Sequence, residues 1–133
     1  MSSIKIGEHS STFSGNPLIC AAASASIDVV VEEKLPERAE RLGYYFMDKL
    51  EKLREKYRII REVRGKGLMI GVELRFDVLN LILGALRRNV IVLDAGRNVL
   101  RFLPPLVITK GQIDRVISVL DEVIGEENAK ICS

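Results

Sequence analysis

Ala39, Leu42, Phe46, Leu50, Leu53 and Tyr57 recur at steps of three or four, with charged residues filling the positions between them. That period is one face of an α-helix beginning near Pro36, and a face so continuous has to be laid against something. The next elements in the chain are short. Ile59-Ile-Arg-Glu-Val and Leu68-Met-Ile-Gly-Val-Glu-Leu are β-branched-rich runs separated by Arg64-Gly-Lys-Gly, the pattern of two strands joined by a tight turn. Val90-Ile-Val-Leu and Val99-Leu-Arg-Phe-Leu flank Asp94-Ala-Gly-Arg-Asn as a second hairpin. Pro104-Pro105 must end its last strand, because proline has no N–H for the ladder. Strands and helices mix without strict alternation, so the expected class is α+β. The sheet should be small and mainly antiparallel, with helices on one face and a two-helix arm in front of it.

The remaining helices are marked by their ends. Asn16-Pro17 supplies a cap and a first-turn proline for a helix from 17 to about 33. Its body, Leu18-Ile-Cys-Ala-Ala-Ala-Ser-Ala-Ser-Ile, is rich in small side chains and predicts a packed helix. Asp77 is placed to cap a short apolar helix through Leu86, with Asn89 as its left-handed terminator. Thr109 and Gln112 have the spacing of a capping box, followed by the stripe Ile113, Val116, Ile117, Leu120, Val123 and Ile124. Gly125 is expected to close that helix and 126–133 to fray. The expected organisation is a segment 1–33, a small domain 34–125 and a tail 126–133.

The chain has 133 residues, 47% hydrophobic and 29% charged, with a formal net charge of +2. That is the composition of a folded domain. The charge is too small and too interleaved to predict a nucleic-acid or membrane surface, so neither partner is expected. Cys20 and Cys132 are far apart and have no neighbouring ligand residues, which predicts reduced thiols and no metal site. The N-terminus shows no apolar signal-like run, so a cytoplasmic protein is expected.

Read singly, few residues point to chemistry. His9, the only histidine, has no paired acid or nucleophile nearby in sequence and reads as a solvated side chain. Gly65, Gly67 and Gly71 enter a strand instead of following one, so the dinucleotide-binding context is missing. Glu32 with Glu33, and Glu51 with Glu55, read as solvated helix surface. Two features are less easily set aside. Ser11-Thr-Phe-Ser-Gly-Asn16 places hydroxyls before a helix N-terminus, where anions are favoured, although an ordinary capped loop has the same composition. Arg101 interrupts an apolar strand; it is either an outward-facing strand residue or a partner for a carboxylate.

The order of these features resembles a known family. Gly7-Glu-His-Ser-Ser-Thr-Phe-Ser-Gly-Asn-Pro-Leu is similar to the G-x-H-x-[ST]-T-[FY]-G-G-N-P-L segment of class III aminotransferases, which include acetylornithine, ornithine and LysW-lysine-type enzymes. Val63-Arg-Gly-Lys-Gly-Leu-Met-Ile-Gly-Val-Glu-Leu and Val99-Leu-Arg-Phe-Leu-Pro-Pro-Leu-Val-Ile-Thr come after it in the family's order. The resemblance implies the C-terminal part of a fold type I enzyme using pyridoxal 5'-phosphate, a dimer with active sites at the subunit interface. It implies that Thr12 binds the cofactor phosphate of the partner subunit and that Ser11 contributes to cofactor or substrate binding. It also implies that Arg101 pairs with a substrate carboxylate. Ser14 stands where the family has glycine, a change the loop should accept. The family's Schiff-base lysine and cofactor-ring aspartate lie upstream of the matched segments, and Lys5 does not match the lysine motif. No catalytic residue is therefore assigned. These residues alone are expected to bind no cofactor and to be silent until joined to a lysine-bearing large domain, with an amino acid and a 2-oxo acid as substrates. The alternative is a non-catalytic module for self-association or carboxylate binding.

Overall fold

The computed structural model describes residues 11–131; His9 and Lys5, and Cys132 at the other end, lie outside them. The chain divides into two compact units, 1–34 and 35–133.

In the first unit, α1 (Pro17–Glu32) starts where Asn16 and Pro17 predict. The Asn16 carboxamide oxygen accepts from the amides of Leu18 at 3.0 Å and Ile19 at 3.3 Å, satisfying two donors that the helix geometry would leave without partners. Lys34, with φ of 50°, lies just beyond the helix C-terminus. The packed helix expected from its small side chains is not what is found. None of its residues is buried, and Phe13, Leu18, Ile27 and Val31 are widely exposed.

The second unit is built on the predicted amphipathic helix, α2 (Leu35–Lys56), which buries Leu42, Phe46, Leu50 and Leu53. It packs against β1 (Ile60–Lys66) and β2 (Met69–Leu74). These pair antiparallel, with Arg64 opposite Gly71 and Lys66 opposite Met69. The turn is shorter than the sequence predicts, because β1 continues through Arg64, Gly65 and Lys66 and only Gly67 and Leu68 remain outside the ladder. Gly67 has a φ of 55°, a conformation that favours glycine. Next comes α3 (Leu79–Leu86), where the Asp77 carboxylate accepts from the Leu79 amide at 2.9 Å and Asn89 has a φ of 61°.

The second hairpin joins β3 (Leu93–Asp94) to β4 (Val99–Phe102). β3 has two residues instead of the expected four, because the Val90 amide is held by the Ala85 carbonyl at 3.0 Å and Val90 and Val92 enter the core. The sheet order is β1-β2-β4-β3, antiparallel throughout. Ile70, Val72, Leu74, Leu100 and Phe102 are buried among α2, α3 and the last helix, and the Phe46 and Phe102 rings meet edge to face at 5.3 Å.

The Thr109–Gln112 capping box forms, with the Thr109 amide donating to Gln112 at 2.9 Å and the Gln112 amide donating to Thr109 Oγ1 at 3.3 Å. It opens α4 (Lys110–Ile131). The expected stop at Gly125 and the frayed residues after it are corrected, since the helix continues to Ile131. Gly125 is there for packing: a Cβ at that position would lie 3.0 Å from the Tyr57 hydroxyl. Beyond it, Glu127 is held by Lys130 and by Asn80 of α3. Polar contacts at Asp114 and Asp121 fasten α4 to α2 and to Tyr57 just beyond it. Tyr45 donates to Asp114 at 2.7 Å, and Lys56 and Tyr57 converge on Asp121 at 2.7 and 2.8 Å.

Candidate functional site

β4 ends where proline forbids a further ladder bond, and Arg101 is its last outward-facing residue. Leu100 and Phe102 are buried on the helix side while Arg101 is exposed on the other face, opposite Gly71 on β2 and Leu93 on β3. Its guanidinium has no hydrogen-bond or ion-pair partner among the described residues. An open groove of about 360 Å³ runs along this face, lined by Arg64, Lys66, Met69, Gly71, Val99 and Arg101. On its other side Arg101 borders an apolar cleft of about 310 Å³ with Ile91, Leu93 and Pro104-Pro105. The larger groove of about 510 Å³ between the start of α2 and the β1–β2 turn holds Glu37, Glu40, Tyr44 and Lys66, but neither Ser11, Thr12 nor Arg101.

Glu73 and Glu62, the acids on Arg101's face of the β1–β2–β4 ladder, are committed elsewhere. Glu73 accepts from Arg61 at 2.9 Å and from Arg64 at 2.7 Å, and Glu62 accepts from Arg64 at 2.8 Å. The Arg64 hydrogen bond, helped by the charge of Arg61, holds the Glu73 carboxyl below the usual range against the opposing effect of burial. This cluster is not legible in the sequence. It depends on a register shift between Ile60 and Glu62 that leaves Arg61 outside the ladder, and no residue pattern marks the bulge.

Ser11 and Thr12 lie in the first unit, in the turn before α1. Ser11 is used internally: its amide donates to Ser14 Oγ at 3.0 Å, its carbonyl accepts from the Ser14 amide, and the two hydroxyls meet at 3.2 Å. Thr12 is exposed, and neither its amide nor its hydroxyl has a partner among the described residues. Asn16 already occupies the amides of Leu18 and Ile19, and the amides of Thr12, Phe13 and Gly15 have no partner among the described residues. An amide and a hydroxyl left open on one residue suit the acceptor oxygens of a phosphate. Gly15 carries the positive φ of 71°, and Ser14 has an ordinary negative one. Serine at 14 is therefore compatible with the turn.

Cys20 is free and exposed. Among the described residues no cluster of His, Cys, Asp or Glu could hold a metal ion, and no helix is long and apolar enough to cross a membrane.

The chain is similar to known proteins over most of its length. The chain is 42% identical to the acetylornithine aminotransferase of Caldanaerobacter subterraneus subsp. tengcongensis, over 92% of this chain and 31% of that protein. It is 46% identical to the acetylornithine aminotransferase of Methanocaldococcus jannaschii over the same shares. Among solved structures, the acetylornithine aminotransferase of Elizabethkingia anophelis superposes with a TM-score of 0.83 at 42% identity, over 92% of this chain and 33% of that one. The ornithine aminotransferase of Toxoplasma gondii ME49 gives 0.84 at 35%, over 96% and 31%. The chain thus spans about a third of the length of the relatives it matches. The profile of the family described as aminotransferase class-III matches residues 1–124, and with these relatives it establishes that this chain belongs to the class III aminotransferases.

Proposed function

We propose that these residues supply the substrate-carboxylate and phosphate contacts of an aminotransferase that moves an amino group from acetylornithine, ornithine or a related ω-amino donor to 2-oxoglutarate. The observation that carries the reading is Arg101, an exposed guanidinium at the end of a strand with no partner among the described residues. A planar fork held by a rigid backbone matches a carboxylate with two parallel hydrogen bonds. The apolar cleft beside it suits the methylene chain of an ω-amino acid.

Thr12 would hold the phosphate of pyridoxal 5'-phosphate through its amide and hydroxyl, with Ser11 shaping the turn and contributing to cofactor or substrate binding. When bound, that cofactor supplies the electron sink for transamination. What this chain adds is orientation: Arg101 fixes the substrate by its carboxylate, and the proline pair after β4 keeps the backbone of that residue from shifting. The exposed apolar side chains of α1 fit an interface with a lysine-bearing domain and a second subunit, in a dimer. Free Cys20 fits a cytoplasmic setting.

The test is to combine this chain with a lysine-bearing large domain and to follow amino transfer from acetylornithine and from ornithine to 2-oxoglutarate. Activity of the combination, absent from the 133 residues assayed alone, is the expected result. A soluble, correctly assembled complex without activity would favour the non-catalytic module instead.

A further inference from the structure

Glu73 sits on the same outer sheet face as Arg101, with only 15% of its side chain exposed. It is opposite Glu62 on β1 and opposite Val99 on β4. Two residues further along, Arg64 on β1 and Arg101 on β4 both stand opposite Gly71, which puts no side chain between them. Diagonal neighbours of this kind are about 7–8 Å apart, within reach of long side chains. Glu73 therefore has two arginines at equivalent offsets, one on each flanking strand.

The structure shows which one it takes. Arg64 Nη1 holds Glu73 Oε2 at 2.7 Å and Arg61 Nη1 holds Oε1 at 2.9 Å, so both oxygens are occupied from the β1 side. The bulge between Ile60 and Glu62 is what frees Arg61 for this contact. A carboxylate so largely covered needs a cation. With Arg61 and Arg64 gone, the remaining cation at a matching offset is the one the proposed function needs free. We propose that Arg61 and Arg64 are positioning residues: by keeping Glu73 occupied they leave the Arg101 guanidinium available to a ligand carboxylate. The inference rests on the reading of Arg101 as that ligand's partner.

Two measurements test it. In the 133-residue chain, the Nε–Hε NMR signal of Arg101 should exchange freely with water in the native sequence and become protected in Arg61→Ala/Arg64→Ala. It should be free again when Glu73→Gln is added. In the complete enzyme the double variant should raise KM for the amino donor roughly three- to fivefold, the scale of a partly exposed ion pair, with kcat kept. Glu73→Gln in that background should restore KM, which a merely structural loss would not allow. If the double variant does not fold, Arg64→Ala alone is read in the same way. An Arg101 signal that stays free in the arginine variants overturns the proposal whatever KM does, and so does a raised KM that Glu73→Gln fails to restore. An unchanged KM in Arg101→Ala would instead sink the carboxylate reading of Arg101, while the NMR comparison still decides whether Glu73 captures it.

Discussion

Arg101 shows how far one side chain can be argued from its surroundings. Its neighbours Leu100 and Phe102 are buried, its backbone is paired on both sides, and its guanidinium meets open solvent. Replacing it should leave folding nearly untouched, since exposed substitutions away from packed features usually shift stability by less than about 0.5 kcal/mol. Its effect should fall on substrate. A charge-assisted contact to a carboxylate is worth about 1.5–3 kcal/mol, so Arg101→Ala in the complete enzyme should lower kcat/KM roughly 10- to 100-fold. Arg101→Lys should also lose activity, because a point charge cannot reproduce the two-pronged contact. Steady-state kinetics beside thermal unfolding of the same variants separates the two effects. A variant that unfolds early but keeps its kcat/KM would make Arg101 a structural residue.

Among the elements, α2 carries a position where two principles pull in opposite directions. Gly43 lies inside the helix, where alanine is intrinsically favoured by about 1 kcal/mol. A Cβ there, however, would lie 2.1 Å from the Gly67 carbonyl oxygen, and a backbone atom in the β1–β2 turn cannot rotate away. The clash should win. Gly43→Ala is expected to destabilise the second unit by about 1–3 kcal/mol, read as a lower urea midpoint at unchanged slope. The same site shows what sequence can and cannot reveal. The stripe of α2, the Asn16 cap, the Thr109–Gln112 box, the left-handed Asn89 and the stop at Pro104-Pro105 are written in local residues, and each is legible. The close approach at Gly43, the extension of β1 through Gly65, the bulge beside Arg61 and the run of α4 past Gly125 depend on partners from distant parts of the chain. A glycine that reads as punctuation can equally be a contact, and nothing local distinguishes the two. For the site, Arg101 and Thr12 stand out by type and order. The ion cluster around Glu73 does not, because strand register has to be known first.

At the scale of the whole molecule, charge decides how the fold responds to acid. Asp114 and Asp121 both join α4 to the α2 side of the unit at the surface, and both titrate below the usual aspartate range. For Asp114 the chief cause is the Tyr45 hydroxyl, followed by Lys49 once the opposing effect of burial is set against them. For Asp121 it is the Lys56 ammonium, reinforced by the Tyr57 hydroxyl. Glu73 and Glu127 are lowered in the same direction, chiefly by Arg64 and by Lys130. A carboxyl that is more acidic in the folded state than in the unfolded one contributes stability that is complete above its unfolded value, about 3.9 for Asp and 4.3 for Glu. That contribution is lost as pH falls through the lower, folded value. All four act with the same sign, so stability should be flat from neutral pH down to about pH 5 and then fall steadily through pH 4 and below. Asp114 and Asp121 are substantially exposed, so salt should soften their share of the effect. Asp121→Asn should start from a lower stability at pH 7, because Lys56 and Tyr57 lose a charged partner, and should then lose less on acidification. Urea unfolding at pH 7 and pH 3, with and without that substitution, checks both halves. An Asp121→Asn variant whose midpoint drops between the two pH values as far as that of the native sequence would mean that the Asp121 contact between α2 and α4 contributes nothing to the acid response.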